Sequence, residues 1–148
     1  MDLRSRYPRS VREKLGGYVH LARMIDKCRA VLAGTPGEYI YPCPMDIRLL
    51  EFAGISSEQF QEIVNGQSDG ATISTFLAKS VPRSVAEIEA WNEMLLSLGP
   101  NTEEKWVYFK KQRDAIDPRR TDITHWADLL DLEERRPVPT RESTPTGG

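Results

Sequence analysis

Residues 20–46 read HLARMIDKCRAVLAGTPGEYIYPCPMD, and the helix at the start of this stretch decides the fold. Apolar side chains recur at helical spacing from Tyr18 to Ala33, and Gly34 is a typical residue for a helix end. On a helical wheel the apolar positions cover an arc of about 240°, wider than the buried face of a surface helix. We therefore predict a central helix near residues 17–33 that neighbours contact on several sides.

Two charged residues lie among the apolar positions of this wheel, Asp26 and Arg29. The remaining polar wedge holds Arg23 and Lys27. Asp26 and Arg29 are three residues apart, so they can meet on one helix face. A buried ion pair adds little stability, because desolvation can exceed the Coulomb attraction. Two interpretations stay open. Either the pair fastens the segment 38–43 to the core, or Arg29 holds an anionic ligand while Asp26 acts as a base or orients another group.

The segment after the helix carries further reactive side chains. Tyr41, Cys43 and Asp46 lie in the stretch YPCPMD, which leads into a short helix predicted over 45–53. The prolines on either side of Cys43 favour an extended backbone. A thiol at a helix N-terminus is a candidate nucleophile, and simple packing is the alternative. Cys28 faces the core on the wheel, so we expect it to be inert.

His20 is the ready proton carrier of this stretch, because the ordinary pKa of histidine is near neutral. A purely structural histidine is the alternative. A zinc site would have to combine His20, Cys28, Cys43 and His125, and their spacings match no zinc-finger or zinc-ribbon pattern. The sequence also contains no glycine-rich phosphate loop. We predict no metal site and no cofactor.

Capping signals mark the ends of the other helices. Ser10-Val-Arg-Glu13 predicts a helix start, and Gly16-Gly17 predicts either a break in that helix or a close approach by another backbone. Capping boxes begin again at Ser56 and Ser84. Inward-facing positions at helical spacing follow, and they include Phe60, Ile63, Val64, Ile73, Phe76, Leu77, Val85, Ile88, Trp91, Leu95, Leu98, Trp106, Phe109, Ile116, Trp126, Leu129, Leu130 and Leu132.

No strong strand pattern is present, so we predict an all-α fold of about six to eight mostly short helices around the central helix. The helical domain is expected over residues 1–133. Residues 134–148 have no large apolar side chain except Val138, which predicts a disordered tail.

Composition excludes several classes of protein. The chain has 148 residues and a net charge of -2, and it lacks the broad basic excess of a nucleic-acid-binding protein. We interpret the basic cluster 105–113 as a solvated helix face. No apolar run approaches the ~18 residues of a transmembrane helix, and the N-terminus lacks the apolar core of a signal peptide. We expect a cytoplasmic protein with free cysteines.

Several motifs resemble the bacterial family known as domain of unknown function 5069. They are PRSVREKLGGYVHLARMIDKCRAVLAG, GEYIYPCPMD, RLLEFAGI, AWNEMLLSLGP and RTDITHWADLLDLEE, and together they extend over about residues 2–134. The resemblance implies a bacterial, soluble and largely helical stand-alone domain. It carries over no functional residue.

Three functions are consistent with these patterns. The first is a binding module, in which His20, Asp26, Arg29 and Tyr41 form a polar pocket with the 38–46 segment for a small anionic ligand or a partner peptide. The second is an enzyme that uses Asp26 or His20 as general base and Cys43 as nucleophile. The third is a structural or interaction protein. The oligomeric state is not predicted.

Overall fold

The computed structural model describes residues 1–140, and this part of the chain contains seven α-helices and no strand. The helices are α1 (Leu21–Ala33), α2 (Pro44–Ala53), α3 (Ser57–Val64), α4 (Asp69–Lys79), α5 (Val85–Leu96), α6 (Glu103–Ile116) and α7 (Trp126–Glu133). The predicted all-α class and the predicted number of helices are confirmed. None of the described helices is both long enough and apolar enough to cross a membrane.

Two compact units divide the chain, the first spanning Met1–Asn92 and the second beginning at Glu93. The single helical domain expected over 1–133 stays a prediction. Within the expected tail, Val138 packs against the core of the second unit, and Arg120 donates a hydrogen bond to the Val138 carbonyl. The last part of that tail, 141–148, lies outside the described residues.

The central helix begins at Leu21, later than the predicted start near residue 17. The expected helix start at Ser10 is wrong, because the capping-box residues form a turn in which the Glu13 amide donates to the Ser10 carbonyl. Gly16 and Gly17 both have positive φ, which an α-helix does not accept. The two glycines therefore lie in the loop before α1, and no described helix precedes them for the pair to break. A close approach also occurs, but it is made by the Ile73 side chain, which lies 2.8 Å from where a Cβ on Gly16 would stand.

An aromatic cluster fills the core of the first unit. Tyr18 contacts Phe52, Phe76 and Trp91 edge-on, and Phe60 contacts Phe76 in the same way. Each of these ring pairs adds about 1 kcal/mol beyond the burial of its area. The predicted inward positions Phe60, Phe76 and Trp91 are confirmed as buried.

Other predicted positions are wrong. Leu77 and Val85, both predicted to face inward, are more than two fifths exposed. The same is true of Leu32, from the apolar arc of the wheel, and of Ile116 in the second unit. Conversely, Arg23 and Lys27 of the expected polar wedge are each 3% exposed. The wedge is buried because segments outside the helix cover it, and a wheel drawn for one helix contains no information on those segments.

A smaller apolar cluster forms the core of the second unit. Phe109 of α6 and Leu129 of α7 are buried with Ile123, and Trp106, Trp126 and Leu132 pack against them. Phe109 and Trp126 meet edge-on with ring centroids 5.0 Å apart. Arg113 of α6 donates a hydrogen bond to the Ile123 carbonyl at 3.0 Å, which connects α6 to the segment before α7.

Candidate functional site

His20 lies at the N-cap position of α1 in a left-handed backbone conformation, with φ of 71°. Few residues other than glycine adopt this region, although histidine does so more often than most, and the strain is of order 1–3 kcal/mol. Two hydrogen bonds hold the backbone there: the His20 amide donates to the Val11 carbonyl, and the His20 carbonyl accepts from the Met24 amide. The imidazole is consequently directed into the protein and is 1% exposed.

Asp46 is the hydrogen-bond partner of the His20 ring. It is the third residue of α2 and has no exposed surface. Its Oδ1 accepts from His20 Nε2 at 2.6 Å, and its Oδ2 accepts from the Cys43 amide at 2.8 Å. The contact with the Cys43 amide is one of the two hydrogen bonds of a capping box at the start of α2. The Asp46 carboxylate therefore caps α2 and also binds His20, the N-cap residue of α1.

Lys27 completes the cluster from α1. Its Nζ lies 2.7 Å from Asp46 Oδ2 and 3.0 Å from Cys43 Sγ. The ammonium group is thus buried between a carboxylate and a sulfur atom. We call His20, Lys27, Cys43 and Asp46 the thiol cluster.

The protonation states of this cluster follow from burial and hydrogen bonding. Burial lowers the pKa of His20 and outweighs the opposing hydrogen bond and charge of Asp46, so the imidazole is neutral at neutral pH. Burial by itself would raise the pKa of the Asp46 carboxyl. The hydrogen bond from His20 and the charge of Lys27 outweigh burial and hold this pKa below its ordinary value, at about 2. Because Asp46 is a carboxylate, we assign the proton of neutral His20 to Nε2. His20 Nδ1 then carries a lone pair, and it has no hydrogen-bond partner among the described residues.

The two cysteines lie in different surroundings. Cys43 is the N-cap residue of α2 and is partly exposed, with its sulfur beside the Lys27 ammonium. Cys28 is fully buried, and burial raises the pKa of its thiol to about 12. Cys28 therefore stays a neutral thiol, whereas a negative charge on Cys43 would face a cation and the positive end of a helix dipole.

Tyr41 lies beside the thiol cluster. Its hydroxyl donates to the Ser57 carbonyl at 2.8 Å, and its ring packs against Phe60 with centroids 6.2 Å apart. Burial raises the pKa of Tyr41, so it is a neutral phenol. Through these contacts Tyr41 connects the segment before α2 to α3.

Asp26 and Arg29 do not form the direct pair that the wheel suggested. Asp26 accepts hydrogen bonds from the backbone amide and the guanidinium of Arg9. Arg29 binds Asp69 at 2.9 Å and donates to the Gln67 carbonyl. Arg9 also binds Asp69, so one ion network joins the N-terminal segment, α1 and α4. Asp26 and Arg29 thus bind Arg9 and Asp69, whereas we expected them to fasten the segment 38–43. A wheel drawn for α1 alone could not show these partners, because both lie outside that helix.

Sequence reasoning missed three residues of these sites, Lys27, Arg9 and Asp69. One signal for Lys27 was present: it follows His20 by seven residues, which places the two within about 20° on a helical wheel. No comparable signal identified Arg9, whose partners are 17 and 60 residues away in the sequence.

Two clefts are present among the described residues. A groove of about 580 Å³ is lined by Pro42, Ile47, Leu50 and Ser57 among others, two of which neighbour Cys43 and Asp46 in the sequence. A smaller cleft of about 290 Å³ has Arg29 in its wall, together with Val64 and Gln67.

Metal binding can be judged from the donor set. His20, Cys43 and Asp46 each offer a ligand atom, and these atoms lie within 4.8 Å of one another. Lys27 Nζ, however, already contacts two of the three residues. A metal ion would have to displace this ammonium, so the residues fit a resident metal poorly.

Residues 5–136 match the family described as domain of unknown function 5069. The chain belongs to this family. The match includes the whole thiol cluster and the Arg9 network. A comparison with curated proteins finds no match for the chain.

Proposed function

We propose that the protein acts through Cys43 as a nucleophilic thiol that reacts with small electrophilic or oxidising molecules. The observation that carries this proposal is the 3.0 Å contact between Lys27 Nζ and Cys43 Sγ at the N-terminus of α2. A cation and a helix N-terminus both stabilise a thiolate, which is the reactive form of cysteine.

Burial distinguishes the roles within the thiol cluster. His20 and Asp46 are almost completely inaccessible, whereas Cys43 is partly exposed. Cys43 is therefore the group that meets the reactant. Asp46 holds the Lys27 ammonium in place, while the His20 and Cys43 N–H groups take up part of the Asp46 charge. Because these N–H groups also bind the Asp46 carboxylate, the Lys27 ammonium is not fully neutralised by it. Its positive charge can therefore stabilise a negative charge on the Cys43 sulfur.

The test is the rate at which iodoacetamide alkylates Cys43 at neutral pH in Cys28→Ser protein. We expect native Cys43 to react about tenfold faster than the same thiol in urea-unfolded protein, because unfolding removes the ammonium and the helix dipole. Lys27→Met should abolish the difference, and Lys27→Arg should retain part of it. Lys79→Met, at an exposed lysine, is the matched control. Equal rates in native and unfolded protein would overturn the proposal.

The Arg29 cleft favours a second function, the binding of a small anion, as the guanidinium fork allows. An anion there would compete with Asp69 for the guanidinium. We expect inorganic phosphate to raise the melting temperature at constant ionic strength, and Arg29→Gln to remove the effect. Arg48→Gln, at an exposed arginine of α2, should leave it intact. No phosphate effect in the wild-type protein would contradict anion binding.

We also propose a bacterial, cytoplasmic location. Cys28 and Cys43 are both free thiols, which suits a reducing compartment.

A further inference from the structure

The amine of Lys27 and the sulfur of Cys43 form a pair that is placed for bond formation. Lys27 is held on α1 and Cys43 at the first turn of α2, so both groups are positioned by helices. Their atoms lie 3.0 Å apart, and the lysine side chain is 4% exposed. The amine therefore has little access to other reactants, while Cys43 is partly exposed.

We propose that oxidation of Cys43 by a hydroperoxide is followed by attack of Lys27, which forms a covalent sulfur–nitrogen cross-link between α1 and the start of α2. This inference rests on the nucleophilic character of Cys43 proposed above. It identifies hydroperoxides as the class of reactant and Lys27 as the group that captures the oxidised sulfur.

The first step oxidises the sulfur. The Cys43 thiolate attacks one oxygen of hydrogen peroxide, a sulfur–oxygen bond forms and the oxygen–oxygen bond breaks. The products are the sulfenic acid of Cys43 and, after protonation of the released hydroxide, water. Sulfur loses two electrons and the peroxide gains them.

The second step is a condensation without further oxidant. The lone pair of Lys27 Nζ attacks Cys43 Sγ, a sulfur–nitrogen bond forms and the sulfur–oxygen bond breaks. Sulfenic acids are known to condense with nitrogen in this way. In sum, one thiol, one amine and one hydrogen peroxide give one sulfenamide and two water molecules.

The protons of this condensation have a defined destination. Lys27 must lose its ammonium proton before its nitrogen can attack, and Asp46 Oδ2 lies 2.7 Å from Nζ as the first acceptor. Nζ releases a second proton once the sulfur–nitrogen bond has formed. The hydroxide released from the peroxide takes up one of the two protons and the hydroxide that leaves the sulfur takes up the other, which gives the two water molecules.

A disulfide between Cys43 and Cys28 is the competing product, because it also removes two hydrogens from the protein. The experiment therefore uses full-length Cys28→Ser protein, treated with one equivalent of hydrogen peroxide and then analysed by intact mass and peptide mapping. We expect the loss of two hydrogens, trypsin resistance after Lys27, and a linked pair of peptides that contain Lys27 and Cys43. Dithiothreitol should restore the original mass.

Lys27→Arg keeps the positive charge but lacks a primary amine, so this variant should accumulate sulfenic acid that dimedone traps. Lys79→Arg should form the cross-link as the parent protein does. Stable sulfenic or sulfinic acid on Cys43 of the parent protein, beside an unmodified Lys27, would overturn the proposal. A linked pair that contains an additional oxygen would overturn the direct sulfur–nitrogen bond.

The alkylation rate separates this inference from the proposed function. Fast alkylation of Cys43 without a cross-link overturns only the capture by Lys27. Slow alkylation together with no oxidation overturns both.

Discussion

His20 combines a strained backbone, a buried ring and a hydrogen bond to a carboxylate. Strain of this kind persists only where the surroundings hold it, and here the surroundings are Val11, Met24 and Asp46. From the sequence, His20 was a candidate because of its type alone. The structure places His20 just before α1, with a neutral ring and a lone pair at Nδ1. This arrangement depends on contacts with the loop at Val11, with α1 at Met24 and with α2 at Asp46.

Acidification is expected to weaken the fold through His20. Its pKa in the folded protein lies below the ordinary value of 6.5. The stability contributed by the neutral ring is therefore complete above pH 6.5 and is lost as the pH falls towards the folded value. We expect the free energy of unfolding in urea to decline between pH 7 and pH 5, by at most about 1.4 kcal/mol per pH unit for one proton.

The control for this pH dependence is His20→Asn. Asparagine tolerates the left-handed backbone and does not titrate in this range. The slope between pH 7 and pH 5 should become shallower in the variant. An unchanged slope would show that another group is responsible.

Asp46→Asn should destabilise the protein by roughly 3 kcal/mol, because it leaves the Lys27 ammonium buried without its carboxylate. Urea unfolding at pH 7 measures the loss. Glu51→Gln, an exposed carboxyl on the same helix, is the control and should change stability by less than about 0.5 kcal/mol. A similar small effect of Asp46→Asn would contradict the assigned charge balance.

At the scale of helices, local signals succeeded where the capping residues and the chain after them agreed. The Ser56 box is confirmed: Ser56 Oγ accepts from the Gln59 amide, and the Gln59 side chain accepts from the Ser56 amide. The Ser10 box has a similar sequence, but the glycines that follow at positive φ prevent propagation. A capping sequence is thus not sufficient by itself, because a helix also needs a following segment that accepts helical φ and ψ.

Ser56→Ala should cost about 1 kcal/mol, because the Gln59 amide loses its side-chain acceptor. The measurement is the midpoint of urea unfolding. Ser57→Ala is the matched control, since the Ser57 hydroxyl bonds only the exposed Glu58 and its backbone carbonyl is unchanged. Equal shifts for the two variants would argue against the cap.

On the scale of the whole first unit, long-range polar contacts position the loop that contains His20. Asn92 of α5 accepts from the Val19 amide at 3.1 Å and donates to the Gly17 carbonyl at 2.9 Å. These contacts join residues that are 73 and 75 positions apart in the sequence. Within the loop before α1, Leu15 and Tyr18 pair through reciprocal backbone hydrogen bonds. Asn92 of α5 binds the backbone groups of Gly17 and Val19 on either side of Tyr18.

Asn92→Ala should therefore destabilise the first unit by about 2 kcal/mol, because a buried amide and a carbonyl each lose a partner. The loss is measured by urea unfolding monitored through tryptophan fluorescence. It should also slow Cys43 alkylation, since the loop positions His20 and, through Asp46, the ammonium. Glu89→Ala, at an exposed position of α5, should have neither effect. A destabilised variant with unchanged alkylation would separate the loop from the thiol cluster.

The amino-acid sequence by itself determined the helical class, the position of Cys43 at the start of a helix, the starts of α3 and α5, and the family. These depend on local spacing, caps and turns, which act over a few residues. Only the tertiary structure decided that Lys27 is buried beside Cys43, that Asp26 pairs with Arg9, and that α1 begins after a loop held by Asn92. The physical reason is that burial and partner choice depend on segments that approach from many residues away, and the periodicity of one helix carries no record of them.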